Sequence, residues 1–328
     1  MKLFVYCLRE FDEKAYFDYY TKQYHMTYTY TTAYPSLENI GLAEGCQAVS
    51  LTPCRITDEM LYRFYEVGVR YIACRSIGFD HINLALAKEL GMCVSHVAYA
   101  PETVADYAIM MMLMGCRRMG HIMMRSMVQD YTLKGKMGVD IGQCVIGVIG
   151  TGSIGSTVIR HLSGFGCRIL ACDPYPKKEL EGFAEYVSFE KLLQESDVIT
   201  LHAPASKENY HLLDENAFSK MKQGVMLVNT ARGTLIDTDA LIEALKAGKV
   251  AHAALDVLEY ETGLYYMNRM GDCIDNHQMA VLRSFPNVLL TPHTAFYTDT
   301  VVASMAENVI KTAYDMAEGN DNPLILLS

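Results

Sequence analysis

From Gly142 onward, short apolar runs alternate with amphipathic stretches, the pattern of strands joined by crossover helices in a parallel sheet. Val145-Ile146-Gly147-Val148-Ile149-Gly150 has no polar side chain, is too short for a helix and is β-branched enough for a strand buried on both faces. A helical pattern follows to about Phe165, with Gly166 placed to end it in the left-handed conformation. Arg168 to Cys172, Asp197 to Leu201, Gly224 to Asn229, Val250 to Val257 and Asn287 to Thr291 read as further strands, and Asp237 to Ala247 as an amphipathic helix. The first hundred residues repeat the alternation on a smaller scale, with strands near Lys2 to Cys7, Ala48 to Leu51 and Tyr71 to Cys74. The pattern therefore predicts an α/β protein with two Rossmann-like domains, each a doubly wound parallel sheet. Between them, Glu102 to about Gln129 reads as one long helix. Its run Met110 to Met114 and its pair Met123-Met124 are apolar nearly all round, which points to burial against a domain or subunit partner rather than to a methionine metal site. A last helix, Thr300 to Gly319, can pack on either domain.

Composition narrows the classes of function. A chain of 328 residues exceeds what one core usually serves, in keeping with two domains. Its formal charge of −10 disfavours nucleic acid and anionic membranes, which need clustered positive surface. No apolar run approaches the roughly 18 residues of a membrane span, and Met1 to Tyr6 reads as a strand rather than a signal peptide, so the cytoplasm is the expected compartment. The ten cysteines are scattered without a C-x-x-C pair, as buried reduced residues are, and no metal is expected.

Candidate chemistry begins at Gly150-Thr151-Gly152-Ser153-Ile154-Gly155, a G-x-G-x-x-G run directly after a predicted strand and opening a predicted helix. Glycines there permit a tight turn and let a pyrophosphate approach the amides at the positive end of the helix. Asp173 closes the next strand 18 residues beyond Gly155, where a carboxylate can accept from ribose hydroxyls and repel a 2′-phosphate, so NAD is expected over NADP. A glycine-rich turn without any cofactor is the bland alternative. Three further polar residues follow predicted strands: Arg232, Glu261 and His293. Ligands of open α/β sheets bind outside the carboxyl ends of the strands, so the three can converge. An arginine fork can clamp a carboxylate and polarise a keto oxygen. A histidine can exchange a proton with an alkoxide near neutral pH, and a nearby glutamate would favour the imidazolium and fix the ring. Singly, each is equally a surface ion pair or a packed loop residue.

Together with their neighbours these residues carry a resemblance. Gly150 to Gly155, Leu201-His202-Ala203-Pro204, Asn229-Thr230-Ala231-Arg232-Gly233, Ala254 to Glu261 and Thr291 to Thr298, in that order, resemble the D-2-hydroxy-acid dehydrogenases over nearly the whole chain, and most closely the D-lactate and D-2-hydroxyisocaproate branch. The resemblance implies a substrate-binding domain of residues 1–100 plus 299–328, an NAD-binding domain of residues 101–298, and an active-site cleft between them that closes on its ligands. It implies His293 as acid/base, Glu261 as its partner and Arg232 as the substrate clamp. Ile77 and Gly78 would hold the acid through their amides, with Tyr99 and Phe296 also touching substrate. Gly150, Gly152, Ser153, Ile154, Gly155, Asp173, Pro204, Asn209, Thr230 and Ala231 would contact NAD, and Asp256 its nicotinamide side. It further implies a homodimer through the methionine-rich segment, and reduction of pyruvate to (R)-lactate. Leu133 stands where some members carry tryptophan, which leaves larger 2-oxo acids, such as those of hydroxyisocaproate or phenyllactate, as the alternative substrates. A binding protein that senses NAD(H), like the corepressors that share the fold, is the alternative from another class.

Overall fold

The computed structural model describes residues 1–327, which divide into two compact units, 1–100 with 297–327 and 101–296. In chain order the first unit carries β1 (Lys2–Val5), α1 (Lys14–Gln23), β2 (Thr27–Tyr30), β3 (Ala48–Leu51), α2 (Asp58–Glu66), β4 (Tyr71–Cys74), α3 (Leu84–Glu89) and β5 (Cys93–Ser95). The second carries α4 (Glu102–Cys116), α5 (Met119–Met127), β6 (Val145–Ile149), α6 (Ser153–Leu162), β7 (Arg168–Cys172), β8 (Glu185–Tyr186), α7 (Phe189–Glu195), β9 (Val198–Leu201), α8 (Glu215–Lys220), β10 (Val225–Asn229), α9 (Thr238–Lys246), β11 (Val250–Leu255), α10 (His277–Ser284) and β12 (Val288–Leu290). The chain then returns to the first unit with α11 (Asp299–Glu318) and β13 (Ile325–Leu327).

The larger sheet runs β12-β11-β10-β9-β6-β7-β8, parallel throughout, so strand order reverses between β6 and β9. Central strands β9 and β10 are buried at every residue, which is why they read as unbroken apolar runs. The smaller sheet runs β13-β5-β4-β3-β1-β2, a flavodoxin-like order with one departure from an all-parallel sheet. Edge strand β13 pairs antiparallel with β5, because α11 ends at left-handed Gly319 (φ 71) and the chain turns straight back onto the sheet edge. Of its two possible sites, α11 takes the first unit, where it packs on α1, β4 and β5 and joins Thr312 Oγ1 to Ser95 Oγ at 3.1 Å.

The segment expected as one helix is two. α4 stops at Cys116, and Arg118 takes a left-handed φ of 52 before α5 begins. Nothing in an arginine announces this; tertiary bonds impose it, since Arg118 Nη1 donates to Gly135 O (3.0 Å) and Val139 N donates to Cys116 O (2.9 Å). The two halves differ in fate. Met111 and Met112 are fully buried under the larger sheet, whereas α5 has no buried residue and Met127 is 85% exposed.

Candidate active site

In the second unit, every sequence-predicted site residue lies at or just beyond a carboxyl strand end or at the start of α6, on one edge of the sheet that includes the point of strand-order reversal. The turn after β6 has its shape for steric reasons. Gly150 sits at φ 89, and a Cβ there would meet His202 O at 2.7 Å; a Cβ on Gly155 would lie 2.0 Å from Gly150 O. A Cβ on Gly152 would meet nothing within 4 Å, so this glycine keeps open the space over the first turn of α6. That helix has no side-chain cap, and the amides of Ser153 and Ile154 precede its first internal bond, Ser156 N to Gly152 O. An uncapped helix start beneath a glycine that keeps the approach clear suits a pyrophosphate.

Asp173, at the end of β7, accepts from Thr151 N (2.6 Å) and Tyr175 N (2.8 Å), which fixes its carboxylate beside the turn with lone pairs left for hydroxyl donors. Beyond β9, Asn209 Nδ2 donates to Pro204 O (3.1 Å) and brings those two predicted residues together. Beyond β10, Thr230 Oγ1 is buried without a partner among the described residues, as a hydroxyl awaiting a ligand would be. These features fit a bound dinucleotide.

His202, which follows β9, packs beneath the glycine turn, and its Nε2 shares a hydrogen bond with Thr200 Oγ1 (2.9 Å). Burial holds its pKa down to about 4, so the folded protein keeps it neutral where the unfolded chain would protonate it. Its contribution to stability is full above the unfolded value near 6.5 and is lost as pH falls from there toward 4. In urea titrations, the stability lost between pH 7 and pH 5 is expected to be about 2 kcal/mol smaller in His202→Asn than in the parent; an equal loss in both would place the acid sensitivity elsewhere.

The catalytic candidates converge for identifiable reasons. Asn229 brackets the turn after β10, accepting from Ala231 N (3.0 Å) and donating to Arg232 O (2.8 Å). Gly233 then lets this turn touch the one after β11, since a Cβ would lie 2.0 Å from the Leu258 carbonyl carbon. Arg232 is thereby set beside the segment that carries Glu261. Glu261 Oε2 accepts from Leu258 N (2.9 Å), and its Oε1 lies 2.6 Å from His293 Nδ1. An ionised carboxylate only accepts, so Nδ1 carries the proton and Nε2 is the nitrogen left for chemistry. Glu259, two residues earlier, pairs instead with His211 Nε2 (2.8 Å) and Thr238.

Asp256, expected at the nicotinamide side, is fully buried, and it organises the histidine loop. Its oxygens accept from Thr291 Oγ1 (2.6 Å), Thr294 N (2.9 Å) and Ala295 N (2.9 Å), while its carbonyl takes His293 N (2.8 Å). Tyr107 on α4 braces the same loop through Thr294 Oγ1 (3.0 Å). Phe296 has its ring centroid 6.4 Å from that of His293, edge-on at 81°. Sequence reasoning missed Tyr107, His211 with Glu259, and Tyr266, whose hydroxyl donates to His293 O (2.8 Å); no motif marks such long-range side-chain bonds.

Ile77, Gly78 and Tyr99 belong to the first unit. There the loop after β4 is anchored by Arg75, whose buried guanidinium donates to Tyr6 O (2.7 Å), Cys7 O (3.1 Å) and Ser50 Oγ (3.0 Å) and lies 3.4 Å from Glu13. Ser76 Oγ donates to Gly78 O (2.6 Å), and His96 Nδ1 meets Ile77 O (3.1 Å). Ile77 and Gly78 are themselves half-buried in this anchored loop.

Residues 109–295 match the sequence model of the D-isomer specific 2-hydroxyacid dehydrogenase NAD binding domain. The chain is 39% identical to a D-lactate dehydrogenase of Escherichia coli over 98% of this chain and 99% of that one. It is 37% identical to an aromatic 2-oxoacid reductase of Clostridium sporogenes, over 94% and 93%. Among solved structures, a D-2-hydroxyisocaproate dehydrogenase superposes over the full length of both chains with a TM-score of 0.88 at 33% identity.

Proposed function

Since the chain belongs to the NAD-dependent D-isomer specific 2-hydroxyacid dehydrogenases, we propose that it reduces a small 2-oxo acid to the (R)-2-hydroxy acid, with pyruvate, giving D-lactate, as its first substrate. NADH, when bound, supplies the hydride to the keto carbon. The protein's residues do the rest. Arg232 clamps the substrate carboxylate and draws electron density toward the keto oxygen through its planar fork. His293 Nε2 gives the forming alkoxide its proton, and Glu261 keeps the ring in the tautomer and orientation that allow this. Asp256 holds the loop on which His293 stands. The observation that carries the reading is the 2.6 Å bond between His293 Nδ1 and Glu261 Oε1 at the same sheet edge as the glycine turn.

NADH oxidation at 340 nm with pyruvate, 2-oxoisocaproate and phenylpyruvate in parallel tests it. Highest kcat/KM with pyruvate supports the lactate reading; preference for either larger acid replaces it with the activity that the reductase and isocaproate relatives are named for. No turnover with any of the three, despite NADH binding, overturns it.

The reading includes a homodimer working in the cytoplasm, where the NADH pool it would draw on is held. Support for the dimer is the set of exposed apolar side chains on and after α5: Met123, Met124, Met127, Val128, Leu133 and Met137 are all at least half exposed. Met127→Glu is expected to convert the dimer to monomers in sedimentation velocity; a sedimentation coefficient equal to that of the parent protein removes this surface from the interface.

A further inference from the structure

We propose that Tyr266 is a positioning residue for His293, holding the backbone of the acid/base in the conformation from which its ring can act; the proposal rests on the reading of His293 given above. His293 stands at φ 54. A non-glycine residue in the left-handed region is strained, and it stays there only where its surroundings over-determine it. Asp256 tethers it on both sides: His293 N donates to Asp256 O, and the following amides, Thr294 N and Ala295 N, run to the Asp256 carboxylate. Its own carbonyl is held from elsewhere, by Tyr266 Oη at 2.8 Å.

The geometry of the donor explains why this bond is more than a surface contact. Glu261 O accepts from Leu264 N (3.0 Å) and Tyr265 N (3.1 Å), so residues 261–265 form one tight turn. Its first residue presents a carboxylate to the His293 ring, and the residue just past it presents a hydroxyl to the His293 carbonyl. One short segment therefore grips the histidine at two points, fixing ring and peptide plane relative to each other. Tyr266 is itself left-handed, at φ 64, a second strained residue in the same contact. About half of its surface lies in solvent, so burial of the phenol is not what dictates this arrangement. The rings add packing: Tyr266 lies 6.1 Å from His293 and 6.5 Å from Phe296, with Phe296 6.4 Å from His293, so the three form a triangular cluster in which each ring meets the other two.

Tyr266→Phe keeps the ring and deletes the hydroxyl. It is expected to lower kcat for 2-oxo acid reduction about three- to tenfold, the worth of one hydrogen bond, with KM, NADH affinity and Tm unchanged. The solvent deuterium isotope effect on kcat should rise, because proton delivery from a loosened histidine becomes slower. The decisive measurement is a double-mutant cycle. In a His293→Ala background the same Tyr266→Phe change should leave the residual rate unaltered, since it acts through the missing group. A multiplicative loss in that background, a fall in Tm that accounts for the lost rate, or wild-type kcat in the single variant would overturn the proposal. Failure of the underlying reading looks different: His293→Ala alone would then retain its activity.

Discussion

Replacing His293 with alanine is expected to lower kcat by about two to four orders of magnitude, the usual contribution of a positioned general acid, while leaving NADH binding and the fold in place. The imidazole is held by a carboxylate 2.6 Å away and has one nitrogen left over, so, on the proposed reading, deleting it removes the proton donor. The loop itself does not depend on the ring. Thr291, Thr294 and Ala295 all bond to Asp256, and those bonds survive the substitution. Fluorescence titration with NADH and a thermal melt would read the intact parts, and steady-state reduction of pyruvate the lost one. A kcat within tenfold of the parent enzyme would take His293 out of the chemistry.

Arg232→Lys keeps the charge and loses the fork. Asn229 holds the turn through backbone atoms of residues 231 and 232, so lysine enters an unchanged backbone. Its ammonium is a point charge that cannot meet both carboxylate oxygens in one plane or reach a keto oxygen at the same time. With about 1.5 to 3 kcal/mol at stake for a hydrogen bond to a charged group, kcat/KM for the 2-oxo acid should fall about ten- to a hundredfold, with a higher KM. NADH affinity should not change. Parent-like kcat/KM with lysine would mean that the substrate carboxylate is held elsewhere.

Much of this was legible from residue order because the larger sheet is parallel and buried. Strands β6, β7, β9 and β10 read as apolar runs since both faces are covered, and the glycine turn is legible because sterics admit only glycine at positions 150 and 155. Short or half-exposed elements left no such trace. β2 alternates exposed and intermediate positions through four Thr and Tyr residues, and β13 is three residues at a sheet edge; neither was foreseen. The break between α4 and α5 was hidden for a different reason. Its left-handed residue is an arginine held by a carbonyl of residue 135, seventeen positions on, and no local signal encodes that bond.

The site divides along the same line. The chain alone determined which residue types stand after which strands: the glycine turn after β6, Asp173 after β7, Arg232 after β10, Glu261 after β11 and His293 after β12. In a parallel sheet, position after a strand is position on one edge, so sequence order suffices to gather them. Only the tertiary structure decided which atoms meet. It gave Glu261 to His293 and Glu259 to His211, turned Asp256 inward to build the histidine loop, and set the Tyr266 hydroxyl on the His293 carbonyl. Those choices rest on loop conformations with φ near +50 to +65 at His211, Tyr266 and His293, which are imposed by long-range hydrogen bonds and lie beyond the reach of local propensity.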